Sequence, residues 1–382
     1  MNDLNIYLKN IFDLLKNSEL DKALELCDQN TQKKIEHIIY NFKGAIYLKK
    51  QNIIKAQENF LSSIESNKDF IDPYKNLFII YNNKKEFNNL VEIAFKILEF
   101  DKKSSVYNFQ VGYALEKNGH LSKSLEYYEK ANNLGFNDKK KLFNNLANVY
   151  LNLGNIDKAI ELYENTYLEN TKDKVLLNNL LGAYLQKRNV KKSEYYLNEA
   201  EKLDSEYVIF KFHKAKFLFL LNKVDEAINL LKEIISTENN IEFIGLLCRI
   251  YFMTSRLTDG NKLLTEQLSK YPNNPKLLRF KCFRSLIEGN FDEGWKLYKY
   301  SQSNYSIKFP SIPEWTGEDL NSKKILVYND QGIGDAIQFS KYLINLNKKC
   351  KSIDFISNKS LVEIFDVKEY EGLNLVKEEN ID

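Results

Sequence analysis

The stretch NNLANVYLNLGNIDKAIELYENTYLEN, residues 144–170, decides the fold. Apolar residues recur at helical spacing up to Leu153-Gly154, pause, and resume after Asp157 with Ala159 and Tyr163 on one face. The stretch reads as two amphipathic helices joined by a tight turn. Outward from Ala159, the equivalent small residue falls at Ala23, Ala56, Ser124, Ser193, Ala227, Gly260 and Gly294, with Leu90 the one large exception. Neighbouring positions in this column lie 33 to 35 residues apart. A small side chain at fixed phase marks where two helices of one hairpin cross closely.

Two further columns run in phase with the first. Two residues before the small one stand Asp21, Asn88, Ser122, Asp157, Asp225, Thr258 and Asp292, which are expected to cap the second helix by accepting from its orphan N–H groups. Four residues after it stand Cys27, Phe60, Ala94, Tyr128, Tyr163, Leu197, Leu231, Leu264 and Tyr298, the next position on the same helical face. Hairpins are expected to begin near residues 4, 37, 71, 105, 140, 174, 208, 241 and 275.

These columns resemble the tetratricopeptide repeat, a helix-turn-helix unit of this length. The resemblance implies a mainly α fold, an α-solenoid of about nine repeats over residues 1–300. A single hairpin cannot bury its own apolar face, so repeats stack and form a groove that takes segments of other proteins. Within that groove Asn76, Gln110, Asn145 and Asn179 hold the same place in four consecutive first helices. An amide offers donors and an acceptor, so such a column would clamp an extended peptide backbone. The protein O-linked N-acetylglucosamine transferases, which these repeats resemble, use an asparagine ladder of this kind. The alternative is that each amide only bonds a neighbouring turn. Lys9 and Phe42 do not begin the column, and His213 breaks it.

The helical period stops at SQSNYSIKFPSIPEWTGEDLNSKK, where Pro310 and Pro313 mark a linker over residues 301–323. Beyond it KILVY (324–328), SIDFIS (352–357) and LNLV (373–376) read as strands, with helices at AIQFSKYLINL (336–346) and LVEIFD (361–366). Strand, helix, strand, helix, strand predicts a partial Rossmann-like α/β domain over 324–382. Gln331, Gly332, Gly334 and Asp335 sit where the first strand hands over to the first helix, the edge at which open α/β sheets bind ligands. The glycines allow close backbone approach, and the helix start favours an anion. A dinucleotide fingerprint fails, because residue 337 is Ile where a third glycine is required and ISNKS offers no acid for a ribose.

The longer string PEWTGEDLNSKKILVYNDQGIGDAIQFSKYL (313–343) resembles a signature of bacterial tetratricopeptide-repeat proteins that run into a glycosyltransferase domain, W-x-G-E-x-L-x-G-K-x-I-L-V-x-x-E-Q-G-x-G-D-x-I-Q-F-x-R-Y. FDEGWKLYKY (291–300) agrees with it; Asp330, Ser322 and Lys341 depart from it. Gly334-Asp335 also resembles the heptosyltransferase group of two-domain (GT-B) glycosyltransferases. By that resemblance Asp335 is the general base on an acceptor hydroxyl, and Gln331, Gly332, Gly334 and Gln338 form the acceptor loop. The alternative is that Asp335 caps its helix. Residues 324–382 would be an incomplete half-domain without the donor-binding part, in a fragment or a truncated descendant. A nucleotide-sugar donor is then expected only in a longer form. The expected function is a protein-interaction scaffold joined to the start of a glycosyltransferase-like domain, which transfers sugar to a protein or glycan. The alternative is a scaffold with a vestigial stub.

Composition narrows the remaining classes. Lys and Arg number 55 against 52 Asp and Glu, interspersed, which argues against a nucleic-acid or membrane-surface binder. Four scattered cysteines with no CxxC spacing support neither a metal nor a cofactor. No run of about 18 apolar residues occurs and the N-terminus has no signal-like core, so no membrane span and a cytoplasmic location are expected.

Overall fold

A computed structural model describes residues 2–30, 32–169, 171–300, 312–313, 315–328, 333–356 and 373–376. The fold is mainly α, a solenoid of helical hairpins followed by a partial Rossmann-like α/β part. Contacts divide it into two units, Met1–Asn239 and Asn240–Asp382. The first holds seven hairpins: α1 (Asn2–Lys16) with α2 (Leu20–Asp28), α3 (Glu36–Lys49) with α4 (Ile53–Ser66), α5 (Asp72–Lys84) with α6 (Phe87–Phe100), α7 (Ser105–Lys117) with α8 (Leu121–Asn133), α9 (Lys139–Asn152) with α10 (Ile156–Glu169), α11 (Lys174–Gln186) with α12 (Val190–Asp204), and α13 (Val208–Leu220) with α14 (Val224–Thr237). The second holds α15 (Ile241–Met253) with α16 (Leu257–Lys270), and α17 (Pro275–Ile287) with α18 (Phe291–Leu297), followed by the sheet.

The small column lies where the paired helices touch. Ala23, Ala56, Ser124, Ala159, Ser193 and Ala227 are fully buried, and the Ser124 hydroxyl donates to the Gly112 carbonyl across the crossing (2.7 Å). Small residues on the first helix serve the same contact. A Cβ on Gly112 would stand 2.7 Å from the Tyr128 ring, and one on Gly44 2.5 Å from that of Phe60. Leu90, the exception, is fully buried among Tyr74, Leu77 and Ile80.

Each hairpin turns through one left-handed residue, five positions before the small one: Ser18, Gln51, Lys85, Gly119, Gly154, Arg188, Asn222, Ser255 and Gly289, with φ between 57° and 82°. At Gln51 its N–H donates to Leu48 O and the next N–H, of Asn52, to Tyr47 O, the double closure that ends a helix at a left-handed residue. Asn52 is at once the N-cap of the following helix, its side chain accepting from Lys55 N. Asn155, Asn189 and Asn290 cap in the same way.

This corrects the expected caps. Asp21, Asp157, Asp225 and their equivalents occupy the second helical position, not the cap. There a carboxylate faces the positive end of the helix dipole. Asp157 also accepts from Lys187 of the next hairpin (2.5 Å), and Asp21 pairs with Lys50.

In the sheet, β1 (Lys324–Tyr328), β2 (Ser352–Ile356) and β3 (Leu373–Val376) are parallel, in the order β1-β2-β3, with Val327 opposite Phe355 and Phe355 opposite Leu375. A helix, α19 (Ile333–Asn347), supplies the crossover that parallel neighbours require and packs Ala336 and Leu343 with Ile353 and Phe355. The helix expected over 361–366 lies outside the described residues, as do residues 301–311 and 314 of the linker. Among the described residues no helix is long and apolar enough to cross a membrane.

Candidate peptide-binding face and C-terminal loop

The first helices of successive hairpins present one face on which the amide column stands. All four amides are half-buried, and each sits one residue after a second column formed by Asn41, Lys75, Phe109, Asn144, Asn178 and Phe212. Hydrogen bonds join the columns from hairpin to hairpin. Asn76 Nδ2 donates to Asn41 Oδ1 (3.1 Å), and Asn179 Nδ2 to Asn144 Oδ1 (2.8 Å). Asn178 Nδ2 donates to Asn179 Oδ1 (3.0 Å), and His213 Nε2 lies 2.7 Å from Asn178 Oδ1. With Asn178 Oδ1 able only to accept, Nε2 carries the proton and Nδ1 is the bare nitrogen, buried without a partner. So His213, which breaks the amide column in the sequence, continues the chain of hydrogen bonds. Burial, with a smaller contribution from Lys216, holds its imidazole down at about 3, so it is neutral.

The other two members differ. Asn145 Nδ2 donates to the Tyr128 hydroxyl (3.2 Å), which itself donates to Glu116 (2.7 Å). Gln110 Oε1 is buried with no hydrogen-bond partner, an acceptor whose desolvation is not offset. Each amide has two donors and an acceptor with two lone pairs, so one or two internal bonds leave capacity over for a ligand. Next to them Asn148 accepts from the Tyr163 hydroxyl (2.5 Å) and Asn82 from that of Tyr113 (3.0 Å). The face is thus dense in neutral hydrogen-bonding groups. Spacing was the available signal for the partners Asn41, Asn144 and Asn178: three of these bonds each join residues 35 apart.

In the second unit, Gln331 and Gly332 lie outside the described residues. Gly334 is the second residue of α19, and a Cβ there would meet nothing within 4 Å among the described residues. Asp335 and Gln338 are exposed. Asp335 stands third in the helix and so does not occupy the cap position. Its carboxylate makes no hydrogen bond or ion pair among the described residues.

The WTGE portion of the motif builds a turn. Gly317 takes φ +116°, Trp315 Nε1 donates to Glu318 O (2.9 Å), and the Glu318 carboxylate accepts from Thr316 N (2.9 Å) and Thr316 Oγ1 (2.8 Å). Hydrogen bonds from its own backbone N–H and from Thr316 hold the Glu318 carboxyl down at about 2. Trp315 lines a cavity of about 800 Å³ with Val327, Phe339, Tyr342 and Leu343. Gly334, Asp335 and Gln338 do not line it. Among the described residues no group of three or more His, Cys, Asp or Glu is placed to hold a metal ion.

Comparison with a repeat family agrees with two of the hairpins. The tetratricopeptide repeat profile matches residues 106–134 and 141–165, which cover α7–α8 and most of α9–α10. The chain is 35% identical over 109 residues to the Photosystem I assembly protein Ycf3 of Prochlorococcus marinus (strain MIT 9301), 27% of this chain and 62% of that protein. It is 24% identical over 302 residues to the human Protein O-mannosyl-transferase TMTC3, 73% of this chain but 31% of the relative. The chain therefore spans less than two thirds of either relative. Among solved structures, a tetratricopeptide repeat protein from Parabacteroides merdae superposes with a TM-score of 0.48 at 14% identity, covering 72% of this chain and 96% of its own.

Proposed function

We propose that this tetratricopeptide-repeat chain is an interaction scaffold whose first-helix face holds an extended segment of a partner protein through Asn76, Gln110, Asn145 and Asn179. The observation that carries this reading is the pair of hairpin-to-hairpin amide bonds, Asn76 to Asn41 and Asn179 to Asn144, which fix neutral donors and acceptors at repeat spacing. A backbone has the matching groups, one N–H and one C=O per residue. The test is an array of uncharged peptides and their N-methylated counterparts, probed with the full chain and with the Asn145→Ala/Asn179→Ala variant. Wild type is expected to capture the unmodified peptides, and both N-methylation and the double variant to weaken capture at least tenfold. Capture that neither change affects would rule out the ladder.

The resemblance of residues 313–343 supports a second part of the reading. Residues 324–382 are the start of a GT-B-like domain that, in a longer form, transfers sugar from a nucleotide sugar to a protein or glycan. Asp335 is its base, taking the acceptor's hydroxyl proton as that oxygen bonds to the anomeric carbon and the bond from that carbon to the nucleotide's phosphate oxygen breaks, the nucleotide leaving with the electron pair. Gln331, Gly332, Gly334 and Gln338 contact the acceptor. In any form carrying a donor-binding domain, Asp335→Ala is expected to abolish transfer; full turnover would remove it from the mechanism. Calorimetry of the 382-residue chain against UDP-, GDP- and ADP-sugars is expected to show no binding, and clear binding would overturn the half-domain reading. The alternative, a scaffold alone, is favoured by the similarity to a relative named as an assembly protein.

A further inference from the structure

We propose that the face shared by α15 and α17 is a second docking site, distinct from the amide column, and that its occupant is an acidic amphipathic helix of a partner protein. On α15 the positions Gly245, Arg249 and Met253 follow one another at intervals of four, and on α17 so do Arg279, Phe283 and Ile287. Residues four apart stand above one another on a helix, so each set is a stripe about 12 Å long. Both stripes are exposed at their apolar ends: Met253 is 66% exposed, Phe283 40% and Ile287 67%. Phe280 closes the space between the helices, its ring 3.5 Å from where a Gly245 Cβ would be. Contiguous exposed apolar residues of this size mark interaction surfaces.

Charge selects the occupant. The chain has five arginines, and four of them, Arg249, Arg256, Arg279 and Arg284, fall in this region although lysine serves almost everywhere else. Together α15 and α17 carry Arg249, Lys276, Arg279, Lys281 and Arg284 against a single acid, Glu242, which already pairs with Lys276. Lys281 pairs with Glu293 and Arg284 with Glu288. Arg249 and Arg279 are exposed and have no carboxylate partner among the described residues. The Arg279 guanidinium rests on the Phe283 ring, 5.7 Å from its centroid. A planar guanidinium presents a fork of donors matched to a carboxylate. The face therefore fits a helix with apolar residues at i and i+4, flanked by Glu or Asp.

The test uses the full chain and two fluorescein-labelled helical peptides of one apolar pattern, one carrying Glu at the flanking positions and the other Lys, read by anisotropy. The Glu peptide is expected to bind at least tenfold tighter than the Lys peptide. Arg249→Glu/Arg279→Glu is expected to reverse that preference, and Met253→Ser/Ile287→Ser to weaken the Glu peptide about tenfold. All four positions are exposed, and circular dichroism checks that the variants keep their helix content. Equal binding of both peptides, or binding of neither, overturns the proposal. So does a concentration-dependent dimer in sedimentation that Ile287→Ser dissolves, since the occupant would then be a second copy.

Discussion

The first helices of two regions share a frame and differ in what they show outward. In the first unit α9 and α11 present Asn144, Asn145, Asn148, Asn178 and Asn179; at the equivalent places α15 and α17 present Gly245, Leu246, Arg249, Arg279 and Phe280. Their inner sides barely change, with Leu146, Ala147 and Tyr150 on α9 answered by Leu247, Cys248 and Tyr251 on α15. Packing against the partner helix constrains the inner side of each hairpin and leaves the outer side free to take up recognition chemistry. One side keeps the fold while the other is free to vary.

The largest expected effect tests that division. Tyr128 is fully buried, so Tyr128→Ala is expected to cost about 3–5 kcal/mol, whereas Phe283→Ala on the exposed stripe should stay within about 0.5 kcal/mol. Urea denaturation of both variants measures the contrast, and equal losses would break it. Next comes pH. His213 binds a proton in the unfolded chain near its ordinary 6.5 but in the folded chain only at about 3. Its contribution is thus fully present above 6.5 and is lost as pH falls from there towards 3. His213→Gln is expected to remove that part of the acid loss, and an unchanged acid limb would show that His213 does not titrate on unfolding. Gly112→Ala should follow at about 1–3 kcal/mol, because the added carbon meets a buried ring. The smallest effect is a gain. Lys85→Gly relieves a left-handed lysine and is expected to raise stability by about 0.5–1 kcal/mol, with Gly119→Lys losing a similar amount. A loss on Lys85→Gly would mean that the turn depends on the lysine itself.

The period, the small column and the column four residues after it were legible in the sequence because they follow from contacts between residues close along the chain. The caps were misplaced by two residues for a specific reason. Asp and Asn suit both the cap and the second helical position, and the true caps, among them Glu19, Glu86, His120, Lys223 and Arg256 beside the four asparagines, are too mixed to form a column. The left-handed positions were hidden likewise, since three are glycine and the rest range from Ser18 to Arg188. Their conformation is imposed by the hydrogen bonds that close the hairpin, so residue type carries little of the signal. At the candidate face the column itself could be read; its partners stand on the neighbouring hairpin, and only the 35-residue spacing points to them. For Asp335 the motif gave the position. The residues just before it, Gln331 and Gly332, fall outside the described structure.

The residue that follows each left-handed turn ends one helix and begins the next, and that double duty bears on how such a chain can diversify. The connection inside a hairpin is three residues long in eight hairpins and two in the other, whereas those between hairpins run from three residues, as between Thr237 and Ile241, to seven between Asp28 and Glu36. An added residue at Gln51-Asn52 would separate the stop from the start and cost both closures at once; one added at Lys102-Lys103, between α6 and α7, would lengthen a loop. Insertions, tags and grafted loops should therefore survive at the seams between hairpins and fail at the bends within them.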